Sequence, residues 1–159
     1  MSELPRQTIS WKDSITDINK QDWNYLALPM SNPFLEWDWL RLMEESGSAC
    51  LRTGWMPKHL TIWDKDQLVA AVPLYIKAHS AGEFIFDNIW SEAACKLQAP
   101  YYPKMLGMAP FTPAGHYRFL IAPGKDEDYL TTLLVQGIEI FCRTRGIAGC
   151  HLHFVSPSW

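Results

Sequence analysis

Several features are scarce in this sequence, and each scarcity excludes something. There is no basic surplus: 14 Lys and Arg stand against 17 Asp and Glu, the formal net charge is −3, and no two basic residues adjoin. The electrostatic footprint expected of a DNA- or RNA-binding surface is therefore missing, and the balance also speaks against tRNA. No apolar run approaches the roughly 20 residues that span a bilayer. The amino terminus, Met1-Ser-Glu-Leu-Pro-Arg6, has no apolar signal core. Cysteine is sparse, and Cys50, Cys95, Cys142 and Cys150 show no paired framework. With no Asn-x-Ser/Thr acceptor either, reduced thiols and a cytoplasmic location are expected. Internal repeats, Gly/Ser linkers, a P-loop, Gly-x-Gly-x-x-Gly, Gly-x-Ser-x-Gly and Ser-x-x-Lys are all absent. Phosphoryl transfer, dinucleotide chemistry and a nucleophile elbow thus have no support.

What is present is a core. Of 159 residues, 48% are hydrophobic and 13% aromatic, eight of them tryptophan, and only 19% are charged. That length and composition predict one folded domain rather than a disordered chain. Thr8–Trp11 reads as a short strand. Ser14-Ile-Thr-Asp17 has the form of a capping box opening a helix with Ile15, Ile18, Trp23 and Leu26 on one stripe. Asn32 and Pro33 open a second helix, with Leu35, Trp39, Leu42 and Met43 at helical spacing and Gly47 at its end. His59–Trp63 and Gln67–Lys77 predict a hairpin turning at Asp64-Lys65-Asp66, with Pro73 at an edge or bulge. Glu83–Trp90 reads as a further strand, with Phe84 and Phe86 on one face and Glu83 and Asp87 on the other. Ser91 would then cap a short helix to Leu97. Strands are expected at Lys104–Ala109, Tyr117–Ile121 and Cys150–Val155. Asp126 caps the longest helix, whose buried face is Leu130, Leu133, Leu134, Ile138, Phe141 and Cys142. The order predicts an α+β domain with a mixed, mostly antiparallel sheet flanked by helices.

Four groupings carry chemical interest. Arg143-x-x-Gly146-x-Ala148 matches the acyl-coenzyme A pyrophosphate loop. That loop works only where a strand hands over to a helix N-terminus, and here a helix ends and a strand begins. A glycine helix stop is the plainer reading. Cys150-His151-x-His153 places two imidazoles on one strand face, but no further ligand pattern supports a metal, and none is expected. His79-Ser80-x-Gly82-Glu83 groups a base, a hydroxyl and a carboxylate after a strand, and Glu83 with Asp87 would form a carboxylate pair. Acid–base work and a solvated polar turn both fit. Tyr101-Tyr102-Pro103-Lys104 and Pro110-Phe111-Thr112-Pro113 suit a ligand groove or the packing of an irregular loop.

Taken in order, Asn32-Pro-Phe-Leu35, Thr53-Gly-Trp55, Pro73-Leu-Tyr75 with Lys77, His79-Ser80, Gly82-Glu83-Phe84, Phe86-Asp87, Tyr101-Tyr-Pro-Lys104 and Pro110-Phe-Thr-Pro113 with Gly115 and Arg118 resemble the bacterial peptidoglycan biosynthesis/recognition family. That family is Fem-like and has the GNAT-type acyl-CoA N-acyltransferase fold. The resemblance implies transfer of an acyl or aminoacyl group to an amine, such as one on a cell-wall precursor. It also implies acyl-CoA or aminoacyl-tRNA as donor. Family members carry two GNAT-like halves, so the chain is expected to be an N-terminal half that need not be active alone. Its expected partners are the acceptor and either the other half or a second copy. The clustering of polar and aromatic residues in turns around the sheet makes His79 and Glu83 the expected catalytic residues, one or the other as base. Ser80, Asp87, Tyr101, Tyr102, Lys104, Phe111 and Thr112 are the expected substrate binders. The alternative is a recognition module without catalysis, binding a muropeptide or a protein.

Overall fold

The computed structural model describes residues 7–157 and 159; the amino-terminal segment weighed above as a signal lies outside them. Strand β1 (Gln7–Lys12) is followed by a single 3-10 turn at Ile15–Asp17 and then helix α1 (Lys20–Ala27). The expected single helix from Ser14 is therefore two pieces. Ser14 caps only the turn, while the Asn19 side chain accepts from the Gln21 and Asp22 amides and opens α1. The second expected helix divides in the same way. Asn32 caps a 3-10 turn at Pro33–Leu35, extended Glu36 interrupts, and α2 runs Trp37–Glu45.

The hairpin is present but longer and bent. Strands β2 (Trp55–Pro57) and β3 (His59–Asp64) form one arm, and β4 (Gln67–Val72) and β5 (Tyr75–Lys77) form the other. It kinks at Lys58 and at Pro73-Leu74, where proline has no N–H for the ladder. The chain there passes from one four-stranded sheet to the other, and the pairing irregularity lies at Ile62/Trp63 rather than at Pro73. His59, fully buried at this kink, holds it: Nδ1 accepts the Leu74 N–H at 3.2 Å and Nε2 contacts Glu44 at 2.9 Å.

Helix α3 (Asn88–Lys96), β6 (Lys104–Gly107), β7 (Leu120–Ile121), α4 (Glu127–Arg145) and β8 (Cys150–Leu152) complete the chain. The sheets have the orders β1-β3-β4-β7 and β2-β5-β6-β8, antiparallel throughout except for the parallel pair β6–β8. Strand β4 is buried from Leu68 to Val72. Such a continuous apolar run fits a strand covered on both faces, and α1 and α4 both pack on it. Leu130, Leu134, Ile138 and Cys142 of α4 enter the core as expected. Asp126 caps that helix through the Tyr129 amide, and Gly146 ends it at φ +66.

One expected strand does not form. Glu83–Trp90 is a turn, an irregular segment and the start of α3; Gly82 has φ +80 and Phe84 φ +57, left-handed values incompatible with a strand. Ser91 consequently lies inside α3 rather than at its cap. Phe84 and Phe86, read as one strand face, are both exposed, Phe86 at 92%.

Candidate functional site

The second sheet builds the site. Lys77 closes β5 and Lys104 opens β6, and the two are direct cross-strand partners. Partners in an antiparallel ladder present their side chains to the same face, and both lysines are fully buried there. Burying two ammonium groups side by side is prohibitive without carboxylates, and the turn after β5 supplies them. Gly82 and Phe84 reverse the chain so that Glu83 and Asp87, four residues apart, both face inward. Lys104 Nζ lies 2.8 Å from Glu83 Oε2 and 2.7 Å from Asp87 Oδ2, while Lys77 Nζ lies 3.9 Å from Glu83 Oε1. Lys77 also donates to the Ala81 carbonyl at 3.0 Å and sits 3.9 Å over the Trp55 ring.

Hydroxyls extend the cluster. Ser80 Oγ donates to Asp87 Oδ2 at 2.8 Å, accepts from Lys104 at 2.7 Å, and lies 2.8 Å from the Tyr102 hydroxyl. Tyr101 donates to the same Asp87 oxygen at 2.7 Å. Burial alone would raise the Asp87 carboxyl, but the bonds from Lys104, Ser80 and Tyr101 outweigh it and hold the group at about 2. Burial pushes Lys77 down to about 8, and the neighbouring Lys104 adds to that against the pull of Glu83. Burial also opposes the charge on Lys104, yet its bonds to Asp87 and Glu83 leave it raised. Tyr101 is raised by burial and by its bond to Asp87.

The expected site residues divide among three clefts and the cluster behind them. His79, Ser80 and Tyr102 line a cleft of about 520 Å³ together with Phe84, Phe86 and Asn88. Glu83 and Lys104 have no exposed surface and lie behind it, so they reach a ligand through Ser80 and Tyr102 rather than by contact. Asp87 and Tyr101 line a second, apolar cleft. Phe111 packs on Trp55 at 4.5 Å between ring centroids and lines a third cleft, which shares His79. Thr112 stands apart; its hydroxyl donates to Pro110 within its own turn. His79 Nδ1 accepts the Ala81 N–H at 3.1 Å, so the neutral ring carries its proton on Nε2 and presents a donor.

Two members of the cluster were not among the expected site residues. Lys77 is one; its sequence signals are its place among the residues that carry the family resemblance and its position at the end of the apolar run Leu74-Tyr75-Ile76. His153 is the other, with Nε2 3.3 Å from Glu83 Oε2. His151 and His153 have ring centroids 6.0 Å apart, and burial, then the charge of Lys104, lowers His151. Among the described residues no group of three His, Cys, Asp or Glu is placed to hold a metal.

An acyl-CoA pyrophosphate does not fit the Arg143–Ala148 segment that matches its loop pattern, nor the start of α4. Arg143–Ala148 spans the end of α4, where free carbonyls rather than N–H groups face outward. The strand-to-helix junction between β7 and α4 is capped by Asp126 and followed by Glu127 and Asp128, three carboxylates where an anion would need to sit. At α3 a single carboxylate, Asp87, holds the N-cap position, without a side-chain bond to the first turn.

The sequence model for FemAB-like proteins, described as peptidoglycan biosynthesis/recognition, matches residues 14–159. No curated protein matches the chain. Two solved structures are similar in fold. A ribosomal-protein-alanine N-acetyltransferase from Brucella melitensis biovar Abortus 2308 shares 9% identity, with 92% of this chain and 79% of that one aligned at a TM-score of 0.50. A GCN5-related N-acetyltransferase from Ralstonia eutropha JMP134 shares 14% identity over 92% of this chain and 82% of that one, at a TM-score of 0.49. The α+β fold, with mostly antiparallel sheets flanked by helices, is GNAT-like.

Proposed function

The chain belongs to the FemAB-like peptidoglycan biosynthesis/recognition family, and from that premise we propose that it is the amine-acceptor half of an N-acyltransferase acting on a peptidoglycan precursor. The observation that carries this reading is the cleft at His79, Ser80 and Tyr102, backed by the buried Lys104–Asp87–Glu83 cluster. Ser80 donates its hydrogen bond to Asp87, so the Tyr102 O–H turns toward Ser80. The lone pairs of the Tyr102 oxygen then remain for an amine N–H in the cleft. His79 Nε2–H offers a donor to a carbonyl of the same ligand. Because every acceptor in this array is fixed before the ligand arrives, orienting the amine costs little reorganisation.

The acyl or aminoacyl donor binds elsewhere, in a second GNAT-like half. The carboxylates at the α4 N-terminus favour that division of labour. The same carboxylates favour a second reading, a recognition module without catalysis.

Calorimetric titration tests the proposal. A soluble muropeptide with a free amine binds, its N-acetylated form binds more weakly, and acetyl-CoA alone does not bind. Failure of the muropeptide to bind overturns the acceptor reading, and acetyl-CoA binding overturns the separation of donor from acceptor. Radiolabelled acyl transfer to the muropeptide, assayed in the longest native polypeptide that carries this sequence, separates catalysis from recognition.

A further inference from the structure

Asp87 presents an asymmetry that the acyl-acceptor cleft does not use. Its Oδ2 takes three donors, from Lys104, Ser80 and Tyr101, while Oδ1 has no hydrogen-bond partner although the residue is only 5% exposed. An unpaired carboxylate oxygen out of water is costly, and native structures retain one where something else completes it. Asp87 lies on the wall of the second cleft, a space of about 560 Å³ formed with Ile85, Trp90, Ala93, Leu97 and Tyr101. That volume is within the range of small-molecule sites, and such sites combine an apolar lining with very few polar groups. Trp90 and Leu97 at its lip are 71% and 78% exposed, apolar surface that a ligand would cover.

We propose that this cleft binds a small apolar molecule carrying one neutral hydrogen-bond donor, which bonds Asp87 Oδ1. The donor is neutral because the buried charges already balance: Lys77 and Lys104 against Glu83 and Asp87. A cationic ligand would leave an uncompensated positive charge in the interior. Oδ1 itself is buried in the cleft wall, so seating the donor takes a local movement of that wall. The site goes beyond the acyl-transfer reading and does not depend on it: the two clefts share Ile85, but Ser80 and Tyr102 line the first and Asp87 and Tyr101 line this one.

Indole, 1-methylindole and tryptamine are suitable probes: one neutral N–H on an apolar body, the same body without that donor, and the same body with an added cation. In nuclear magnetic resonance titrations, indole is expected to bind saturably and to shift the α3 amides. 1-Methylindole is expected to bind about tenfold more weakly, as befits loss of one hydrogen bond to a charged acceptor. Tryptamine is expected to bind no tighter than indole. The substitution Ala93→Phe, at a half-buried position of the mostly exposed α3, should abolish indole binding with the spectrum of the rest of the domain unchanged. Equal affinities for indole and 1-methylindole overturn the role of Asp87, and those come from the unsubstituted chain, so they hold even if the variant misfolds. Undiminished binding in a folded Ala93→Phe variant overturns the location, and clearly tighter tryptamine overturns the neutral-donor argument. None of these outcomes bears on muropeptide binding.

Discussion

Lys77 and Lys104 face each other across the β5–β6 ladder, both without exposed surface, and Glu83 lies against both, 3.9 Å from one and 2.8 Å from the other. Like charges directly opposite on a sheet repel, so this pairing persists only because the turn at Gly82–Phe84 swings a carboxylate between them. The same turn delivers Ser80 and His79 to the cleft. The stability of the buried cluster and the shape of the proposed acceptor site are thus one structural problem.

Glu83→Gln removes the charge the two lysines share. Breaking a buried ion pair from one side costs about 3–5 kcal/mol, and unfolding in urea should show a loss of that size. Adding Lys77→Met should recover part of it by removing the uncompensated cation. An unchanged midpoint in Glu83→Gln would mean that the lysines are not held by this carboxylate.

Stability should depend on pH at both ends. Asp87 is held at about 2 against an ordinary 3.8, so its contribution is complete above pH 4 and disappears as pH falls through 2. Lys77 sits at about 8 against an ordinary 10.5, burial being the main cause. Its charge opposes folding below that value. Between pH 8 and 10.5 the folded chain binds fewer protons than the unfolded one, so stability rises with pH. Lys104, raised instead, loses its contribution above 10.5. Denaturant midpoints against pH check this, and the rise above pH 8 should vanish in Lys77→Met.

Gly54→Ala should disturb His79. Gly54 has φ +71, and a Cβ there would lie 2.3 Å from His79 Nε2. The left-handed backbone alone costs on the order of 1 kcal/mol for alanine, and the ring must also move. Thermal unfolding should fall modestly while muropeptide affinity falls more; equal, small effects would place His79 outside the acceptor cleft.

Tyr102→Phe leaves the ring in place and removes the oxygen. Muropeptide affinity is expected to drop about tenfold, the worth of one hydrogen bond, with the N-acetylated muropeptide unaffected. A parallel drop for both ligands would show that the phenol packs rather than recognises the amine.

Local signals in the sequence were enough for the hairpin turn at Asp64-Lys65-Asp66 and for α4, where periodic apolar residues, the Asp126 cap and the Gly146 stop agree. The same signals suggested a strand over Glu83–Trp90, because Phe84 and Phe86 fall on one face at strand spacing, with Glu83 and Asp87 on the other. What decides that segment is Lys104, 21 residues beyond Glu83, which draws both carboxylates inward and leaves the phenylalanines outside. No window of sequence contains that pairing. His79, Ser80, Asp87, Tyr101, Tyr102 and Lys104 were all singled out by residue type, and the fold brings Ser80, Asp87, Tyr101, Tyr102 and Lys104 into one network. Lys77 and His153 were missed as site residues because strand lysines and histidines ordinarily face solvent; the register of β5 on β6 turns Lys77 inward, and the inward turn of Glu83 brings it to His153.

The central claim is that the His79–Tyr102 cleft receives the amine-bearing ligand. Titrating the isotopically labelled chain with an amine-bearing muropeptide tests it most directly, by mapping which amides shift. The account predicts shifts concentrated at His79–Gly82, Asn88 and Tyr102. Shifts concentrated instead at Gly124–Asp128, the turn that opens α4, would contradict it.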